Sequence, residues 1–106
     1  MTLYEILTDP ESGVGIPVAY SHFKGDEVPE SPPYMVYIGN GQNTMDADNT
    51  HYYRQNRYQL EYYFINKDEE TEAQIEDILL ENGYLYEKSE DIFIEDEEIF
   101  VIYYMI

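Results

Sequence analysis

A chain of 106 residues with 43% hydrophobic content is long enough to bury one core and too short for two domains. Its 23 acids against 5 bases give a net charge of −18. That argues against direct binding to nucleic acid or an anionic membrane, since Lys24, Arg54, Arg57, Lys67 and Lys88 form no basic patch.

The absence of cysteine removes disulfides, thiolate nucleophiles and Cys-based zinc sites. Tyr accounts for 13 residues and Trp for none, and Tyr packs its ring while its hydroxyl stays wet or finds a partner. Such a composition predicts much half-buried surface, of the kind found at edges and interfaces.

Thr2-Leu3-Tyr4-Glu5 has the form of a capping box and predicts a short helix over about residues 3–8, with Leu3, Ile6 and Leu7 on one face. Asp9-Pro10 ends it, because the residue before Pro is pushed out of the helical region. No basic segment followed by an apolar one opens the chain, and no apolar run is long enough to span a bilayer. The expectation is a cytoplasmic protein without a membrane partner.

Residues 11–15 form a turn with two glycines, and residues 16–23 read as a strand. A polar loop with Pro29, Pro32 and Pro33 leads to a second strand over residues 34–38, apolar on both faces. Residues 39–50 are the longest irregular stretch, with Met45 almost its only core-type residue. Loops of this length in a compact domain are usually functional or disordered; the stretch also reads as a long arm joining two strands.

Residues 51–65 form the longest strand, with Tyr58, Leu60, Tyr62 and Phe64 alternating against Arg57, Gln59 and Glu61. The even positions are expected on the core. A helix starts near Asp68, whose first turn carries acids suited to the positive end of the helix dipole. Ile75, Ile78 and Leu79 form its buried stripe, and Asn82-Gly83 stops it.

Strands are expected over residues 84–88 and 92–94, a charged turn over 96–98, and a last strand over 99–106, eight consecutive apolar residues. Apolar residues on both sides imply burial on both sides. One side faces the helices; the other is expected to need a second protein surface. The fold class is therefore α+β, an antiparallel sheet with two helices packed on one face, in the order α-β-β-β-α-β-β.

No site for chemistry emerges. His22 and His51 are 29 residues apart with no metal-ligand spacing, and paired carboxylates such as Glu69-Glu70 and Glu97-Glu98 sit where solvation explains them. Gly39-Asn40-Gly41 lacks the Lys-Ser/Thr and the helix of a phosphate loop. The chain is read as a non-enzyme, with no catalytic, cofactor-binding or metal-binding residue.

Arg54 and Arg57 lie among Tyr52, Tyr53, Gln55 and Asn56, and Arg and Tyr are enriched at interface hot spots. They are expected to pair with acids of the same or a neighbouring subunit. The candidate subunit or partner interface is Met45, Tyr52, Tyr53, Arg54 and Arg57 with Val101, Tyr103 and Met105 of the last strand. The acids between Asp68 and Glu98 form either a solvated face or a surface facing a DNA channel, where like charge lets DNA pass.

Several segments carry a resemblance: Gly15-Ile16-Pro17-Val18-Ala19-Tyr20, Pro33-Tyr34-Met35-Val36-Tyr37, Ala47-Asp48-Asn49, Arg57-Tyr58-Gln59-Leu60-Glu61-Tyr62-Tyr63 and Glu98-Ile99-Phe100-Val101-Ile102-Tyr103. With them the chain resembles the small tail-terminator or tail-completion proteins of long-tailed phages and prophages of Gram-positive bacteria. The resemblance implies an α+β subunit of a homo-oligomeric ring, commonly a hexamer, at the head-proximal end of the tail tube. Its implied partners are copies of itself, the tail-tube protein and the head connector, with DNA passing through the lumen unbound. It implies residence in the host cytoplasm during assembly and then in the virion, and no cofactor. The alternatives are another neck or minor tail protein, or an acidic DNA mimic that inhibits a DNA-binding protein.

Overall fold

The computed structural model describes the backbone of residues 2–47 and 51–106, and the side chains of all of these except 43–47 and 51–55. Helix α1 (Leu3–Thr8) opens on the expected capping box: the Thr2 hydroxyl accepts from the Glu5 amide at 3.2 Å and the Glu5 carboxylate from the Thr2 amide at 3.1 Å. Beyond it, Asp9 accepts from the amides of Glu11 and Ser12, and the amides of Gly13 and Val14 turn back to the carbonyls of Asp9 and Leu7. The turn is tight enough that a Cβ on Gly13 would lie 2.5 Å from both carbonyl oxygens, so only glycine fits.

The chain continues through β1 (Val18–Tyr20), β2 (Tyr34–Ala47), β3 (His51–Phe64), helix α2 (Glu69–Glu81), β4 (Glu87–Lys88), β5 (Ile92–Ile94) and β6 (Ile99–Met105). Asp68 caps α2 by accepting from the amides of Glu70 and Thr71, and Gly83 follows its end at φ 84°, the left-handed conformation that glycine adopts without strain.

The sheet order is β1-β2-β3-β6-β4, with β5 also on β6. The α+β class holds, with two corrections: three strands rather than two follow α2, and β1 pairs parallel to β2, so the sheet is mixed. A parallel pair needs a crossover. Residues 21–33 supply it across the face opposite the helices, where Phe23 meets the Tyr34 ring edge-on at 5.6 Å. β4 and β5 share one edge of β6 and are parted by Ser89, whose amide donates to the Tyr103 carbonyl while its hydroxyl accepts from the Tyr103 amide.

The core lies between the helices and one sheet face. Leu3, Ile6 and Leu7 of α1 and Ile75, Ile78 and Leu79 of α2 meet Met35, Leu60, Tyr62, Phe64, Ile102 and Tyr104. The even positions of β3 point inward as the alternation requires, and cross-strand pairs such as Tyr62 with Ile102 continue that face. No helix of the structure is long and apolar enough to cross a membrane.

The last strand corrects the sequence argument for a second protein. Ile99 and Val101 point away from the helices, yet are 7% and 1% exposed within the single chain. Val101 is flanked on the ladder by Tyr63 of β3 and Ile92 of β5. Tyr63 is stacked on Tyr34 at 5.0 Å. The chain itself thus buries two residues that apolarity alone assigns to a partner.

Candidate assembly surfaces

β2 and β3 outrun the sheet. β1 covers β2 only at residues 35–37, and β6 meets β3 from Gln59 onward, while β2 and β3 stay paired from Gln42 with Asn56 out to Ala47 with His51. Beyond Gly39 and Tyr58 the two strands have only each other in the ladder, after a register shift between Gly39 and Gln42. They form an arm, and the stretch read as irregular is strand for most of its length. The molecule measures 51 × 30 × 29 Å with a radius of gyration of 15.2 Å, against about 13 Å for a compact chain of this size.

The arm is also the electrically exceptional part. Residues 40–57 hold two of the 23 acids, Asp46 and Asp48, and two of the five bases, Arg54 and Arg57, so the whole charge of −18 belongs to the rest of the chain. On the backbone Met45 stands opposite Tyr53, Asp46 opposite Tyr52 and Thr44 opposite Arg54; the side chains of Met45, Tyr52, Tyr53 and Arg54 lie outside the described residues. Arg57, at the base of the arm, is half-buried and makes no ion pair among the described residues.

Val101 is withdrawn as an interface residue, because its own chain covers it. Tyr103 and Met105 stay half-exposed on the outer face, level with Glu61 and Gln59 of β3. There Glu61 accepts from the Gln59 amide group and from the Tyr63 hydroxyl. Burial, then the Glu61 carboxylate, pushes the Tyr63 hydroxyl well above its ordinary pKa, so this phenol stays a neutral donor. The candidates therefore fall into two groups, arm and outer face, on successive stretches of β3.

A second edge was missed by sequence reasoning. The Met35 amide donates to the Pro17 carbonyl and the Ser21 amide to the Tyr37 carbonyl, so odd residues of β1 face β2 and the amides of Val18 and Tyr20 point the other way. They open on a groove of about 980 Å³ lined by Tyr4, Thr8, Tyr20, His22 and Lys24, with Glu27 its one acid. The available signal was charge: residues 12–25 contain no acid.

The described ion pairs lie elsewhere, between α2 and the β4–β6 side. Glu72, 2% exposed, takes Lys88 at 2.9 Å and Lys67 at 2.8 Å; Lys67 also reaches Asp91 at 3.0 Å, and Lys88 reaches Glu76 at 2.9 Å. The Tyr104 hydroxyl donates to Glu76 at 2.7 Å. Desolvation opposes the charge on Lys88, but its hydrogen bonds to Glu72 and Glu76 win and raise its pKa. The two lysines and the carboxylates of Glu72, Glu76 and Asp91 pair with one another, which makes the cluster a clamp of α2 onto the sheet; Glu72 Oε2 has the charge of Lys67 beside it but no hydrogen bond. Among the described residues no three metal-ligating side chains converge. No known protein family matches the chain, and no curated protein or solved structure proved similar to it.

Proposed function

We propose that this chain is a structural subunit of a phage or prophage tail. It assembles with copies of itself into a ring, hexameric by analogy, that caps the tail tube and joins it to the head connector. The observation that carries the assembly reading is the neutral arm projecting from a body of charge −18. Like-charged bodies repel, and a neutral extension is the part that approaches a second copy at least electrostatic cost. The place in the virion rests on the resemblance of the segments around Tyr20, Tyr34 and Tyr58 to tail-terminator proteins. An acidic body also suits a ring through which DNA passes without sticking, since neither surface attracts the other.

The test is light scattering of the full chain across concentration and salt, with negative-stain microscopy in the presence and absence of a tail-tube protein. Rings, favoured by high salt because screening weakens repulsion between subunits, are the expected result. A strict monomer at high concentration and high salt, still monomeric with tube protein present, overturns the reading.

A further inference from the structure

We infer that the open edge of β1 receives the arm of a second copy as an added strand, an inference that rests on the assembly reading above and names the surface it uses. Three observations lead there. The arm is a two-stranded ribbon with both outer edges unpaired in the described backbone, and an isolated ribbon of this kind is marginal in water until another strand or a sheet covers it. β1 offers the complementary half: outward amides at Val18 and Tyr20, an open groove beside them, and a Tyr20 side chain that is 55% exposed. The third observation is charge. Residues 12–25 carry no acid and residues 40–57 are neutral, so these two stretches meet without the repulsion that separates the rest of two such chains.

The arm of the same chain does not reach this edge. In the sheet order β1 itself stands between its open side and β2, and the arm continues away from β1 as the extension of β2 and β3. Each copy therefore presents one arm and one edge, and the contact is head-to-tail, the type that closes into rings. Three residues of β1 span about 10 Å, well within the six residues by which each arm strand is paired.

Hydrogen exchange on the unmodified chain at low and high protein concentration reads the edge directly. The Val18 and Tyr20 amides should slow at least tenfold on association, while unchanged exchange at these two positions in an associated sample overturns the inference. Two substitutions give an independent reading. Tyr20→Pro deletes an outward amide that the β1–β2 ladder does not use, and Tyr20→Ala keeps it; both are checked for folding by circular dichroism. Expected is a tenfold or greater weakening of self-association in Tyr20→Pro and less than threefold in Tyr20→Ala. If Tyr20→Pro assembles like the unmodified chain, strand addition is wrong and the ring reading stands. If the unmodified chain never associates, both fall.

Discussion

Glu72 shows how one side chain can mislead and what would correct it. Its neighbours Glu69 and Glu70 are solvated acids of a helix start, and composition places Glu72 with them. Spacing does not: 72, 75 and 79 share a helix face, and that face is the buried one, so Glu72 enters the core as Ile75 and Leu79 do. The burial is possible because Lys67 precedes the helix and Lys88 arrives from β4 to meet the carboxylate. No local pattern announces those two partners, which converge only once α2 has docked. Replacing Glu72 with Gln leaves two ammonium groups facing a weaker acceptor. Both lysines can swing toward water, so the loss stays below that of a fully buried pair. Urea denaturation should show a destabilisation of about 2 kcal/mol. A change under about 0.5 kcal/mol, the size expected for an ordinary exposed acid, would mean that the cluster is not a clamp.

At the scale of elements, what was legible follows from locality. The capping box at Thr2, the stripe at Ile75, Ile78 and Leu79 and the alternation from Tyr58 to Phe64 each lie within a few residues, and each is found where the pattern puts it. The pairing of β1 with β2 was not legible, because it depends on how residues 21–33 cross the sheet. The burial of Val101 was not legible either, because Tyr63 of β3 and Ile92 of β5, which flank it, come from elsewhere in the chain. Periodicity tells which residues want burial but not which part of the chain supplies it. The arm sits between these cases. Its polar composition reads as a loop, yet the ladder persists from Gln42 to Ala47 because β3 offers a continuous partner. Among the described residues the core draws nothing from residues 40–57. Replacing residues 41–56 by a short Asn-Gly turn should therefore leave the melting temperature within about 5 °C of the full chain while abolishing self-association. Loss of the cooperative melt would place the arm in the folding unit and end its role as a separate docking element.

For the whole molecule, the net charge and the buried hydroxyls both lower stability as pH rises, and the lowered carboxyl of Glu76 opposes them at the acid end. On the alkaline side, Tyr62 is pushed up to about 12 by burial and then by the nearby Asp68 and Glu72 carboxylates, and Tyr104 is raised by burial and by Glu76. Lys88 is raised as well. A group whose pKa is higher folded than unfolded binds more protons in the native state, so its contribution is full below the unfolded value near 10 and disappears as pH climbs through the folded one. Each deprotonation also adds to a charge that is already −18. On the acid side, burial would raise the Glu76 carboxyl, but hydrogen bonds from Lys88 and Tyr104 outweigh it and lower its pKa, so stability from Glu76 is lost as pH falls below the ordinary value of 4.5. As pH falls toward that point the net negative charge shrinks, which relieves repulsion throughout the body. Thermal melts at low protein concentration should therefore show maximal stability near about pH 5 and a steep loss above about pH 10. At pH 8 the melting temperature should rise with sodium chloride, because screening acts on the same repulsion that acid removes. A melting temperature that stays flat from neutrality into the alkaline range, or falls with added salt at pH 8, would mean that neither the buried hydroxyls nor the net charge governs this fold.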